Sequence, residues 1–225
     1  MPTQLGIFAK HWTPGRVKTR LAVTIGRKRA AEVARCLLKT LLVRMSRTAD
    51  RHVVGYTPSD AGESFERLAG PEWYLSTQCE GDLGQRMEHY FRTAFAAGFD
   101  RVVLIGADSP TLPRAIVADA FERLTESSLV LAPTDDGGYC LIGASGDLPP
   151  IFDEMPWGEP TLWQATVARL EQHGWRRGDT WHELPPWYDV DAIDDLVRLR
   201  QELSDHPDDA ALVQLRRDLD RILNN

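Results

Sequence analysis

Residues 101–110 read RVVLIGADSP. Val102 to Ile105 is a continuous apolar run with no polar position at period two, so both faces of the segment must be covered. That is the signature of a strand inside a parallel sheet with helices on either side. Gly106 to Pro110 then end the strand and deliver Asp108 to its carboxyl end, the edge of an open α/β sheet where ligands bind.

Strand and helix signals alternate on both sides of this run. Upstream, Leu5–Ala9 reads as a strand, and Val33, Leu37, Leu41 and Met45 recur at helical spacing within Arg27–Arg47. A strand at His52–Thr57 is closed by Pro58, followed by a short helix over Glu63–Leu68 and a strand at Trp73–Thr77. Leu83, Met87, Tyr90, Phe91, Ala94 and Phe95 form a second helical stripe ending at Gly98. Downstream, the pattern predicts a helix from Pro113 to Thr125, strands at Leu129–Leu131 and Gly138–Gly143, and a helix from Thr161 to His173. A short apolar-aromatic segment and helices starting at Ala192 and Asp208 follow. The expected fold is a three-layer α/β/α protein with a mostly parallel central sheet. The polar stretch Ser204–Asp209 suggests a main domain over 1–203 and a C-terminal helical appendage over 204–225. No internal repeat or low-complexity segment is visible.

The chain has 225 residues, 43% of them hydrophobic and 26% charged, the balance of a soluble globular protein. No apolar run approaches the roughly 18 residues of a membrane span, and the N-terminus lacks a signal-peptide pattern, so the expected compartment is the cytoplasm. Cys36, Cys79 and Cys140 are widely separated without metal-ligand spacing and read as free thiols. A formal net charge of -7 argues against a general nucleic-acid or membrane-surface binder, so any anion site must be local.

One such site is visible at FAKHWTPGRVKTRL (8–21), where Lys10, Arg16, Lys18 and Arg20 surround Pro14-Gly15. Gly15 permits close backbone approach, and Lys18 and Arg20 have the chemistry to contact phosphate oxygens. The alternative is a solvated turn; neither GxxxxGK[ST] nor GxGxxG is present. The sheet-edge rule selects this loop together with those after Thr57, Ile105, Leu131 and Ile142.

Asp108 either caps the following helix or holds Mg²⁺ or Mn²⁺, hard cations that take carboxylates and bridge to phosphate oxygens. In PTDDGGYCLIG (133–143), Asp135-Asp136-Gly137-Gly138 is either a turn or a backbone platform against a ligand, with Tyr139 directed toward it. In WYDVDAIDDL (187–196), Asp194 and Asp195 suit a helix's first turn, and Asp191 is the candidate ligand that could face Asp108. In GDLGQRM (81–87), Asp82 and Gln85 form a capping box, leaving Arg86 either solvated or aimed at a ligand. Trp157 and Trp187 read as packing residues, although the Trp157 loop could reach a nucleotide. The histidines have no zinc spacing, and no Ser-His-Asp arrangement is readable.

FAKxxxPGRVKTRL, GDLGQRM, LIGADSP, APTDDGGYCLIG, MPW and WYDVD, in this order and spacing, resemble a bacterial GT-A-like family over residues 4–200. That family is usually labelled a glycosyltransferase, is sometimes tied to arsenosugar biosynthesis, and has long been carried as a domain of unknown function. The VKTRL loop is also similar to that of 2-phospho-lactate guanylyltransferases and, more loosely, molybdenum-cofactor guanylyltransferases. The resemblance implies a Rossmann-like GT-A (nucleotide-diphospho-sugar transferase) fold with a nucleotide at the sheet's carboxyl edge and a divalent metal, Mg²⁺ or Mn²⁺, on its phosphates.

Carried onto this chain, Lys10, Gly15, Arg16, Lys18, Arg20 and Arg86 become the phosphate-contacting set and Asp108 and Asp191 the metal-binding pair. Gly137, Gly138, Tyr139 and Trp157 would lie by the substrate, with Lys18, Asp108 and Asp136 in catalysis. Trp12 stands where the family usually has proline and Ala192 where it often has threonine. The implied partners are an NTP or NDP-sugar and a small-molecule acceptor. Three functions follow: nucleotidyl transfer with pyrophosphate release, glycosyl transfer with Asp135 or Asp136 as general base, or nucleotide binding without catalysis.

Overall fold

A computed structural model describes residues 1–224. The chain runs β1 (Thr3–Lys10), α1 (Thr19–Ile25), α2 (Arg27–Met45), β2 (Arg51–Thr57), α3 (Gly62–Ala69), β3 (Tyr74–Thr77), α4 (Leu83–Ala96), β4 (Arg101–Gly106), α5 (Arg114–Arg123), β5 (Leu129–Pro133), β6 (Tyr139–Ser145), α6 (Leu162–Gln172), β7 (Trp181–Glu183), α7 (Ile193–Glu202) and α8 (Ala210–Asn224). The strands form one seven-stranded sheet in the order β3-β2-β1-β4-β6-β5-β7.

The apolar run of β4 is buried on both faces because two cores sandwich the sheet. Leu38, Leu41 and Met45 of α2, Phe65 of α3 and Val117 and Ala120 of α5 cover one face, against Leu5, Ile7, Val103 and Ile105. Met87, Tyr90 and Phe91 of α4, Phe152 of the β6–α6 connection and Leu170 of α6 cover the other, against Val102, Leu104 and Leu131. This is the expected α/β/α sandwich. A third cluster joins Leu21 of α1, Val33 and Leu37 of α2, Leu196 and Leu199 of α7, and Leu212, Leu215 and Leu219 of α8. Its α8 begins where Asp209 accepts from the backbone N–H groups of Ala211 and Leu212, at 3.0 and 3.3 Å.

Strands β3, β2, β1 and β4 pair parallel with one another, as β5 does with β7, whereas β6 runs antiparallel to both β4 and β5. The carboxyl end of β6, Ser145, is therefore opposite Arg101, at the amino end of β4. The loop after Ile142 does not reach the functional edge, contrary to the sequence expectation; the β5–β6 loop, which contains Asp136, does. Two elements also escape the hydrophobic pattern: α1 has seven residues and β7 has three, both too short to display a period. Among the described residues no helix is long and apolar enough to cross a membrane, and the three cysteines are free.

Candidate functional site

The β1–α1 loop leaves the sheet at Lys10 and turns tightly, with Arg16 N–H donating to the Thr13 carbonyl at 2.9 Å. Gly15 supplies a φ of 81° at this turn. Lys18 then adopts the left-handed region, φ 47° and ψ 46°, immediately before α1. For a residue with a Cβ that conformation costs about 1–2 kcal/mol. Trp12 packs edge-on against Phe65 with ring centroids 5.2 Å apart and stacks on His11 at 4.7 Å.

The Lys18 ammonium lies 2.5 Å from an Asp108 oxygen and 2.7 Å from an Asp191 oxygen. The lysine side chain is 3% exposed, while the carboxylates are 43% and 38% exposed. Burial alone would lower the Lys18 pKa, but the carboxylates of Asp108 and Asp191 outweigh it and hold the amine above its ordinary value.

Both carboxylates are fixed by their own segments. Asp108 follows β4, and its carbonyl accepts from Val190 N–H at 3.0 Å, tying the two acidic stretches together. Asp108 caps no helix, because α5 begins at Arg114 behind Pro113 and has no side-chain cap. Asp195 accepts from the N–H groups of Asp191 and Ala192 at 3.0 and 2.7 Å, which sets the turn into α7. Ser109, buried, donates to Asp189. Burial pushes the Asp189 carboxyl up to about 7, the Asp108 carboxylate adding to the effect and the Ser109 hydroxyl opposing it.

Above this cluster is a cleft of about 370 Å³, a size suited to a small-molecule ligand. Lys10, Arg16, Lys18, Arg86, Asp108 and Asp191 line its polar side; Phe8, Val17, Leu38 and Leu83 line its apolar side. Arg86 Nε donates to the Gly81 carbonyl at 2.9 Å, from the α4 end that Asp82 and Gln85 cap reciprocally. Arg20 is exposed on α1 and lies outside that lining.

The β5–β6 loop is built differently. Asp136 accepts from Thr134 Oγ1 at 2.6 Å and from Gly138 N–H at 3.2 Å, and Gly137 takes φ 90° where a Cβ would lie 2.0 Å from the Pro160 carbonyl oxygen. Asp135 pairs with Arg198 at 2.8 Å. Tyr139 meets Trp157 edge-on at 6.3 Å between centroids, and Trp157 lies over Gly84 at the start of α4. Asp136, Gly137, Gly138, Tyr139 and Trp157 are not among the residues that line the cleft, although Trp157 packs beside its Leu83 wall.

The sequence did not mark Asp189, Ser109 or Gln78, which also lines the cleft, as site residues, and read Leu83 only as part of the α4 stripe. A signal existed for the first: Asp189-Val190-Asp191 alternates, with Val190 fully buried and the two aspartates on the other face.

A divalent cation fits the donor set. Two carboxylates already converge on one positively charged atom, and hard oxygens are what Mg²⁺ and Mn²⁺ select. Among the described residues no group of three or more His, Cys, Asp or Glu side chains could hold a metal alone, so the remaining ligands would have to be phosphate or water oxygens.

The family described as "Uncharacterized protein conserved in bacteria" (DUF2064) matches residues 40–159. A solved structure from Desulfovibrio desulfuricans G20, described as a nucleotide-diphospho-sugar transferase, is 31% identical, with a TM-score of 0.85 over 99% of this chain and 96% of that one. The chain belongs to the DUF2064 family. More remote members of the same fold include a cytidylyltransferase from Leptospira borgpetersenii (15% identity, TM-score 0.56, 100% of this chain and 98% of that one). A nucleotidyl transferase from Methanothermobacter thermautotrophicus is similar (16% identity, TM-score 0.56, 89% of this chain and 97% of that one). At such identities the likeness is one of fold. No curated protein matches the sequence.

Proposed function

We propose that this DUF2064 protein is a divalent-metal-dependent transferase acting on an activated nucleotide, and that it transfers a nucleotidyl group. The observation that carries this reading is the cleft itself. Three cations that make no ion pair among the described residues, Lys10, Arg16 and Arg86, share its wall with Lys18 and the Asp108–Asp191 pair. A triphosphate carries more charge than a diphospho-sugar and suits that density of cations. The resemblance of the VKTRL loop to guanylyltransferases supports the same reading.

In the proposed reaction an anionic oxygen of a small-molecule acceptor attacks the α-phosphorus of an NTP, and pyrophosphate leaves with the electron pair of the broken P–O bond. Lys10, Arg16 and Arg86 hold the phosphates, and charge-assisted hydrogen bonds from them strengthen as charge shifts onto the leaving oxygens. Asp108 and Asp191 would hold the divalent cation, whose chemistry there would be to neutralise charge on the phosphates. The apolar wall of Phe8, Val17, Leu38 and Leu83 offers a surface for the base or ribose.

Glycosyl transfer from an NDP-sugar is the second reading, favoured by the description of the 31% identical relative. In it Asp136 or Asp135 would serve as general base. The test incubates purified protein with Mg²⁺, each NTP and a panel of phosphorylated acceptors, and assays pyrophosphate. Acceptor-dependent pyrophosphate release supports nucleotidyl transfer. Its absence with every NTP, together with turnover of one NDP-sugar, replaces that reading by glycosyl transfer.

A further inference from the structure

Residues 10–35 contain eight Lys and Arg against a single Glu, in a chain of net charge -7. Among the described residues, Lys10, Arg16, Arg20, Arg27, Lys28, Arg29 and Arg35 make no ion pair, whereas Lys18 makes two. The one cation of this segment that the fold neutralises thus sits on the two carboxylates that fit a metal.

The ammonium and a divalent cation cannot share that position. Lys18 Nζ is 2.5 and 2.7 Å from the two carboxylate oxygens, and Mg²⁺ requires about 2.0–2.1 Å to each. Both cations on the same oxygens would lie only a few ångströms apart, where a side chain 3% exposed is poorly screened by water. With the ammonium in place, the pair of carboxylates carries one net negative charge rather than two, which weakens its attraction for a free divalent ion.

We propose that Lys18 is an internal competitor for the divalent cation: it occupies Asp108 and Asp191 in the nucleotide-free protein and yields them when phosphates draw its ammonium into the cleft. Metal then enters with the nucleotide rather than ahead of it, so the ligand recognised is the metal–nucleotide complex. The second half of this proposal rests on the nucleotide reading above; the competition itself does not. Removing the ammonium returns two net negative charges to the pair, so metal should bind more tightly without it, unless the carboxylates lose their positions when the lysine goes.

The experiment measures Mn²⁺ binding to nucleotide-free protein by the electron paramagnetic resonance of free Mn²⁺, for the unaltered chain and for Lys18→Met, which keeps the length of the side chain and removes its charge. The expected result is Mn²⁺ binding at least about tenfold tighter in Lys18→Met, within the usual range of coupling between sites. Equal, weaker or undetectable binding by folded Lys18→Met overturns the proposal.

Should that variant fail to fold, amine labelling of Lys18 in the unaltered protein, read by mass spectrometry, decides. Labelling should rise severalfold on adding Mn²⁺ in the tens of millimolar, against a monovalent salt control of equal ionic strength, and unchanged labelling overturns the proposal. Neither readout includes a nucleotide. A protein that binds no nucleotide would therefore end the transferase reading while leaving the Lys18 result to stand or fall by itself.

Discussion

Two loops meet the same edge of the sheet, and they treat charge in opposite ways. In the β1–α1 loop and its flanks, Lys10, Arg16 and Arg20 have no acidic partner among the described residues, and the backbone takes a left-handed turn at Lys18. In the β5–β6 loop, Asp135 is paired with Arg198, and Asp136 is spent on Thr134 and Gly138 in its own turn. Asp135 and Asp136 are satisfied by contacts of the frame, whereas the unpaired Lys10 and Arg16, and the Lys18 cluster beside them, line a concave surface open to a ligand. On the proposed reading the first loop binds the anion and the second serves as a frame.

The strongest attack on this contrast is Asp108→Ala. Loss of metal-dependent nucleotide binding is expected, at least about a hundredfold, or about 3 kcal/mol, by calorimetry in Mg²⁺. Unchanged affinity would leave Asp108 as a partner of Lys18 and nothing more.

Arg44 tests the other side. It is buried, bonds the Pro110 and Leu112 carbonyls at 2.7 and 3.0 Å, and pairs with Asp209 at 3.0 Å, so its charge is wholly committed to the fold. Arg44→Met should cost about 3 kcal/mol of stability in denaturant titration, as breaking a buried pair does, with nucleotide affinity unaltered in the folded fraction. A drop in affinity of similar size would blur the division between fold charges and ligand charges.

Arg16→Ala and Lys10→Ala should each weaken nucleotide binding about five- to tenfold and flatten its dependence on salt, without moving the melting temperature. A shift in melting temperature with intact affinity would reverse the assignment.

The pH dependence sharpens the picture. Burial alone would raise the Asp209 pKa, but the bond and charge of Arg44 and the α8 backbone N–H groups outweigh it and hold the carboxyl below its ordinary value. A depressed acid contributes stability that is present above about pH 4, its unfolded pKa, and lost as the pH falls through the lower folded value. Asp209→Asn should therefore flatten the acid limb of the stability curve and leave neutral-pH nucleotide binding untouched.

The smallest effect is expected from Asp136→Asn, which retains the acceptor oxygen of the turn: activity within about threefold. A loss of a hundredfold or more would place Asp136 in proton transfer and break the comparison of the two loops.

Most of the sandwich was legible because its helices and strands are long enough to show their period. The stripe of α2 and the unbroken run of β4 carry their burial in the residue pattern itself. What escaped depends on tertiary contact. Helix α1 exists because Leu21 is buried in a cluster built from α2, α7 and α8, and no window around Thr19–Ile25 contains that information. The reversal of β6 is likewise invisible in Tyr139–Ser145, whose apolar run suits either direction. At the site, residue types were readable and their pairing was not. Lys18 and Asp191 are 173 residues apart, so the doubly bound ammonium could not be inferred from the VKTRL loop. The Asp189–Ser109 bond was hidden for the same reason.

The shared cluster of Leu21 with Leu212, Leu215 and Leu219 has a bearing on how the chain would be handled. The helix that follows the β1–α1 loop rests on α8, so a chain cut at the turn over residues 204–209 would strip the cover from Leu21 and loosen the segment that aims Lys18. Linkage makes the relation mutual: a ligand that stabilises the intact state should slow proteolysis at that distant turn, giving a digestion assay that reports occupancy of the cleft from the far end of the sequence.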